Sequence, residues 1–306
     1  MVANDIPGKD IAATIRAEIK EEVKQLKDEH QVTPGLAVVL VGDRRDSQTY
    51  VRMKTKACEQ AGLASFQFDY DSSVTQDTLV QKVAELNADP KVHGILIQLP
   101  LPNHINEETV LNLVDPEKDV DGLHPANVAR LAMMKESITN SVSAASQFSV
   151  PCTPLGCIEL LIRSGVELPG RHAVVIGRSV LVGMPMSRLL LAADATVTVV
   201  HSHTRNIEEV VKLGDIVVAA VGRAHMVKKE WLKEGAVVID VGINSVDIEP
   251  KEPGGKSYKL VGDVDYDNAR EVCSLITPVP GGVGPMTIAM LLRNTVNACK
   301  RSSSLT

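Results

Sequence analysis

Short apolar runs alternate with amphipathic stretches along this chain, and that alternation constrains the fold more than any other feature. The run Leu36-Ala37-Val38-Val39-Leu40-Val41 ends in Gly42-Asp43. An apolar run without polar interruption reads as a strand buried on both faces. Before it, Ile11, Ile15, Ile19, Val23 and Leu26 recur at helical spacing with charges between them. Helices are expected over 47–60, stopped by Gly62, and over 75–87; strands are expected over 64–68 and 94–99. The series β-α-β-α-β implies parallel strands joined by helical crossovers. A polar, Ser-rich segment at 135–146 marks a seam and reads as an exposed loop. Beyond it the pattern resumes with strands at 172–177, 196–200, 216–221 and 236–241, most of them meeting a glycine, and a last helix over 286–296. That is the pattern of a doubly wound nucleotide-binding sheet. The 306 residues leave room for two α/β domains.

Composition narrows the function classes. Hydrophobic residues make up 44% and charged residues 23%, the balance of a soluble globular chain. A net charge of -6 and an aromatic content of 3% argue against a nucleic-acid partner. The five cysteines, Cys58, Cys152, Cys157, Cys273 and Cys299, show no CxxC spacing, so reduced bystander thiols and no metal site are expected. No apolar run reaches the length of a membrane span. The first ten residues carry acids and lack an apolar core, so a cytoplasmic protein is expected.

The sharpest local signal is Val174-Val175-Ile176-Gly177-Arg178-Ser179-Val180-Leu181-Val182-Gly183-Met184-Pro185. A strand runs into a glycine turn and then a helix, whose free N–H groups suit an anion. The spacing departs from Gly-x-Gly-x-x-Gly, so a plain βα turn fits it as well. The next strand ends in His201-Ser202-His203-Thr204-Arg205. It lacks the acid that would hold a ribose 2′-hydroxyl. Hydroxyls and cations there, with Arg178 in the turn, favour NADP over NAD, although both histidines also fit an ordinary exposed loop.

Ser47, Tyr50 and Lys54 fall at i, i+3 and i+7 on one expected helix face, just past the carboxyl end of a strand. A phenol and an amine opening into a cleft can move protons, and burial or neighbouring cations can lower the pKa of such an amine. The same spacing also fits a surface lysine beside a half-buried tyrosine. Gln98 ends the strand Ile97-Gln98-Leu99, where its amide needs partners. Asp121 precedes Gly122, as in an ordinary turn, and can also accept hydrogen bonds from an amino-pyrimidine edge. The loop Thr277-Pro278-Val279-Pro280-Gly281-Gly282-Val283-Gly284-Pro285 admits close backbone approach to a ligand.

Taken together, several segments resemble the methylenetetrahydrofolate dehydrogenase/methenyltetrahydrofolate cyclohydrolase family. They are Ser47-Gln48-Thr49-Tyr50-Val51-Arg52-Met53-Lys54, Gly94-Ile95-Leu96-Ile97-Gln98-Leu99-Pro100, Glu117-Lys118-Asp119-Val120-Asp121-Gly122, Pro151-Cys152-Thr153-Pro154, the Gly177-Arg178-Ser179 turn and the Pro/Gly loop. The resemblance implies a two-domain α/β subunit of amino-acid-dehydrogenase-like type. A parallel-sheet substrate domain, 1–150, would hold folate together with the returning helix 285–302. A Rossmann-like domain, 151–284, would hold NADP, and a cleft would carry both reactions. It implies oxidation of 5,10-methylenetetrahydrofolate, hydrolysis of the methenyl product to 10-formyltetrahydrofolate, a link to purine biosynthesis and a homodimer. By resemblance Lys54 is the principal acid/base group, Gln98 holds and tunes it, Tyr50 stacks on or orients the substrate, Ser47 supports the network and Asp121 reads the pterin edge. Ile97, Leu99, Pro278, Val279, Pro280, Gly281 and Gly282 would line the folate pocket; Gly177, Arg178, Ser179, Gly183, Ser202 and Ile243 would lie near NADP. Two other readings stand beside this one. A different NADP dehydrogenase of the same fold explains two domains but leaves Tyr50, Lys54, Gln98 and Asp121 without a purpose. A silent folate- or NADP-binding protein leaves the whole catalytic set unexplained. No synthetase domain is expected, because no long C-terminal extension follows.

Overall fold

The structure is a computed structural model that describes residues 2–134, 146–248 and 257–305. The Ser-rich loop expected at 135–146 falls almost wholly outside the described residues. In chain order the strands are β1 (Asn4–Asp5), β2 (Gly35–Val41), β3 (Ala64–Tyr70), β4 (Gly94–Ile97), β5 (His172–Ile176), β6 (Thr196–Val200), β7 (Ile216–Ala219), β8 (Val237–Asp240), β9 (Asn244–Asp247), β10 (Tyr258–Val261) and β11 (Leu275–Ile276). They form a three-stranded sheet in order β3-β2-β4, a six-stranded sheet in order β1-β11-β8-β7-β5-β6, and a two-stranded β9-β10 ribbon. Every pair in the two larger sheets is parallel.

Two compact units follow. One comprises 13–133, 142–152 and 288–306; the other 1–12, 134–141 and 153–287. In the first, β2 is buried along its whole length, as its unbroken apolar run requires. The edge strand β3 carries Ser65, Gln67 and Asp69 and is only partly buried. Helix Gly8–His30 lays Ile15, Ile19, Val23 and Leu26 into the core, at the three- and four-residue spacing seen in the sequence. Helices Arg45–Ala61 and Gln76–Ala88 supply the two crossovers. The chain leaves β2 toward β3 on one side and returns to β4 on the other. The carboxyl end of β2 is therefore the point where α/β sheets open a crevice for ligands.

In the second unit β5, β7 and β8 are the central strands, and Val174, Ile176, Val217, Ala219 and Val238 form the middle of its core. Residues 1–12 belong to this unit because β1 extends its sheet, pairing with β11. The last helix, Val283–Ser302, starts in this unit and contributes residues from Ile288 onward to the other. Among the described residues no helix is long and apolar enough to cross a membrane. All five cysteines are buried and unpaired.

Candidate active site

In the unit built on β2, helix Arg45–Ala61 begins four residues after β2 ends and carries the expected trio. Ser47 is buried, Tyr50 is 40% exposed and Lys54 is half-buried. The Lys54 ammonium donates to Gln98 Oε1 at 2.9 Å. Gln98 in turn donates from Nε2 to the Leu99 carbonyl at 2.9 Å, and its backbone N–H pairs with Val39 on the neighbouring strand. With its amide nitrogen committed, Gln98 presents only its oxygen to the lysine, which fixes the direction of the bond. Ile97 is buried in β4, directly before Gln98, and Leu99 directly follows it.

Asp121 joins this pair through charge. Burial pushes its carboxyl above the ordinary carboxylate range, the Lys54 ammonium pulls it back, and the nearby Asp119 carboxylate pushes it further up. The loop carrying Asp121 is fixed from several sides. Asp119 accepts from the backbone N–H of Gly122 at 3.1 Å and of His124 at 2.8 Å, and from Asn127 Nδ2 at 2.9 Å. Lys118 donates to the carbonyls of Leu86, Asn87 and Asp89, closing the end of helix Gln76–Ala88. Gly122 has a φ of +69°, and a side-chain carbon there would stand 2.6 Å from the Pro151 nitrogen, so only glycine fits.

Two contributors were not singled out from the sequence. Asn294, fully buried on the last helix, donates to the carbonyls of Val120 and Val150 at 2.8 Å each. The buried Cys152 thiol donates to the Val120 carbonyl at 3.3 Å, and burial first, then the Asp121 carboxylate, holds its pKa well above the usual thiol value. Both brace the residue before Asp121. The signal for Asn294 is the polar triplet Arg293-Asn294-Thr295 directly after the apolar run Ile288-Ala289-Met290-Leu291-Leu292.

In the other unit, β5 runs into the Gly177 turn. Gly177 has a φ of +119°, and a side-chain carbon there would strike the Ala220 carbonyl; one on Gly183 would strike the Gly177 carbonyl. Both glycines therefore permit the close strand–helix approach that a dinucleotide turn needs. Ser179 closes the helix start itself: its hydroxyl accepts from the N–H of Val182 and Gly183, and its carbonyl from Met184. The N–H groups expected to face an anion are thus partly taken within the turn. Arg178 and Ser202, at the ends of β5 and β6, stay exposed, as does Ile243 past β8. No acid stands between 201 and 205, so the donors there suit a phosphate on the ribose. The Pro/Gly loop packs on the start of helix Gly8–His30: a side-chain carbon on Gly8 would strike the Gly282 carbonyl, and Gly281, with a φ of +114°, lies beside the Lys9 stem. Gly282 N–H donates to the Pro278 carbonyl at 2.8 Å, with Val279 and Pro280 at the tip between them. Among the described residues no group of three or more His, Cys, Asp or Glu could hold a metal.

Residues 6–121 match the family model for the tetrahydrofolate dehydrogenase/cyclohydrolase catalytic domain, and residues 151–303 match that for its NAD(P)-binding domain. Bifunctional protein FolD 2 of Arabidopsis thaliana is 56% identical over 98% of this chain and 96% of its own. Bifunctional protein FolD of Magnetococcus marinus is 54% identical over 99% of this chain and 100% of its own. The crystal structure of the FolD methylenetetrahydrofolate dehydrogenase/cyclohydrolase from Campylobacter jejuni superposes with a TM-score of 0.89 at 43% identity, covering 98% of this chain and 99% of that one. The Trypanosoma brucei enzyme, solved with NADP and an inhibitor, gives the same TM-score and identity over 99% of both chains.

Proposed function

The chain belongs to the tetrahydrofolate dehydrogenase/cyclohydrolase family, and from that premise we propose how its residues carry the two reactions. It is a bifunctional one-carbon folate enzyme, an NADP-dependent methylenetetrahydrofolate dehydrogenase and methenyltetrahydrofolate cyclohydrolase. Folate sits on the unit built on β2, and NADP on the six-stranded sheet. When bound, NADP accepts the hydride from the one-carbon bridge of the folate.

In the cyclohydrolase step water attacks the cationic methenyl carbon, and the bond from that carbon to one folate nitrogen then breaks. In this step Lys54 acts as the free amine: it takes a proton from the attacking water, and the ammonium so formed delivers it to the leaving nitrogen. General acid–base assistance of this kind is worth about 10²–10⁴-fold. The single observation that carries this reading is the 2.9 Å bond from Lys54 to Gln98, with Asp121 close enough to feel the lysine's charge. Gln98 aims the amine. Asp121 accepts from the amino-pyrimidine edge of the pterin. Tyr50, half-exposed on the same helix, lies under the substrate ring, and Ser47 supports the helix start. Ile97, Leu99 and the loop residues Pro278, Val279, Pro280, Gly281 and Gly282 contact folate.

Gly177 and Gly183 bring the turn close to the pyrophosphate, while Arg178, Ser179 and Ser202 hold the phosphates and Ile243 the nicotinamide end. A homodimer, a cytoplasmic location and delivery of 10-formyltetrahydrofolate to purine biosynthesis are part of the same proposal. The net charge of -6 supports the absence of a nucleic-acid partner.

An absorbance assay tests the reading. Methylenetetrahydrofolate and NADP should yield NADPH, and methenyltetrahydrofolate should lose its absorbance faster than it does without protein. NADPH formation with no acceleration of methenyl loss would remove the cyclohydrolase and the role given to Lys54.

A further inference from the structure

Two buried carboxylates in the six-stranded-sheet unit take no part in the chemistry above. Asp263 is fully buried just past β10, and Asp240, 2% exposed, ends β8. Asp263 accepts from three successive backbone N–H groups, Val221 at 2.6 Å, Gly222 at 3.0 Å and Arg223 at 2.8 Å, and from Asn244 Nδ2 at 2.9 Å. Consecutive N–H groups turned to one side make an anion-binding concavity. Here the anion is the protein's own. Asp240 repeats the arrangement one strand away, accepting from the N–H of Gly242, Asp263 and Val264. Gly242 and Gly262 press against these carboxylates so closely that a side-chain carbon at either would overlap an oxygen.

The segment held by Asp263 lies at the carboxyl edge of the sheet. It starts one residue after Ala220, whose carbonyl blocks any side chain on Gly177 and whose N–H pairs with Ile176. Ligands of doubly wound sheets bind outside that edge. Asn244, the other partner, follows Ile243 directly and opens the β9-β10 ribbon. One carboxylate therefore ties the loop after β7 to the chain after β8, both at the carboxyl edge of the sheet.

We propose that Asp263 is a positioning residue for NADP, setting the backbone of 221–223 and, through Asn244, the chain around Ile243. This rests on the assignment of NADP to the six-stranded sheet. In Asp263→Asn an N–H₂ group replaces one acceptor oxygen and faces backbone donors. Losing a buried bond of this kind corresponds to about a tenfold change in an equilibrium constant.

The test uses the full chain. The Kd for NADP is measured by titration calorimetry, and backbone hydrogen exchange at 221–223 is followed without any nucleotide. Asp263→Asn should weaken NADP binding by about tenfold and speed exchange at 221–223, while the NADP-free cyclohydrolase rate stays within about twofold of wild type. Asn244→Ala, which leaves the three backbone bonds in place, should weaken NADP binding by about threefold and serves if the first variant does not fold. A folded Asp263→Asn protein, or a folded Asn244→Ala protein, with wild-type NADP affinity would overturn the proposal. Failure of the wild-type chain to bind NADP would instead sink the assignment of the sheet.

Discussion

The two units build their sites from different materials. On the β2 side the proposed chemistry rests on side chains: Lys54, Gln98 and Asp121 come from a helix, a strand end and a loop, and each is held by a bond or a charge from another. On the six-stranded sheet the proposed cradle needs close backbone approach, which the glycines at 177 and 183 admit, with Arg178 and Ser202 exposed beside it. The contrast follows from the tasks. Proton transfer needs one group held at one place. A dinucleotide needs a long surface of N–H groups and little bulk. The first site should therefore fail through loss of a side chain, and the second through gain of one.

Gln98→Met sharpens the comparison most. It keeps the length of the side chain and removes the oxygen that receives the Lys54 amine. A hydrogen bond to a charged group is worth about 1.5–3 kcal/mol, so cyclohydrolase kcat should fall by about 10–100-fold. NADP affinity measured in parallel should not change. The reverse experiment is Gly177→Ala. Its side chain meets the Ala220 carbonyl at a φ of +119°, so stability should drop by about 1–3 kcal/mol with NADP binding lost first. Denaturant melts with and without nucleotide will read both. Equal damage to both half-reactions in either variant would erase the division drawn above.

Asn294→Ala breaks the comparison at a different point. It removes two buried bonds behind Asp121 without touching any proposed substrate contact. A loss of about 1–3 kcal/mol is expected in a denaturant melt, accompanied by weaker folate binding.

The smallest expected effect is a pH dependence. Burial first, with the Asp263 carboxylate adding to it, pushes Asp240 up to about 7 against the pull of three backbone N–H groups. The native state then holds this proton more tightly than the unfolded chain. Its contribution to stability is complete below the unfolded pKa and is lost as pH rises through about 7. His93, lowered by burial, acts in the opposite sense at the acid end. Denaturant melts at pH 6 and pH 8 should show wild type losing more stability over that interval than Asp240→Asn, which cannot ionise. An equal loss in both would show that Asp240 does not titrate there.

Legibility from sequence followed burial. The strands β2, β4, β5, β7 and β8 are covered on both faces, so they are apolar apart from His172 and Asp240 at two strand ends, and their positions could be read directly. The β9-β10 ribbon is exposed along most of its length and polar in Asn244, Ser245 and Asp247, so it leaves no hydrophobic pattern. Strands β1 and β11 have two residues each, too few for any period to show. At the site, Lys54, Gln98 and Asp121 were visible as candidates. The bond between the first two spans 44 residues, and no local pattern carries it. Asp240 and Asp263 carry no local pattern that marks them out. Their burial comes from the fold, since backbone donors reach them from segments 23 to 42 residues away.

The most direct test of this account is Lys54→Met, assayed for both half-reactions after its affinity for methenyltetrahydrofolate has been measured. Retained folate binding with methenyl hydrolysis reduced to the uncatalysed rate is the predicted result. Hydrolysis at the wild-type rate would contradict it and would move proton transfer to another group.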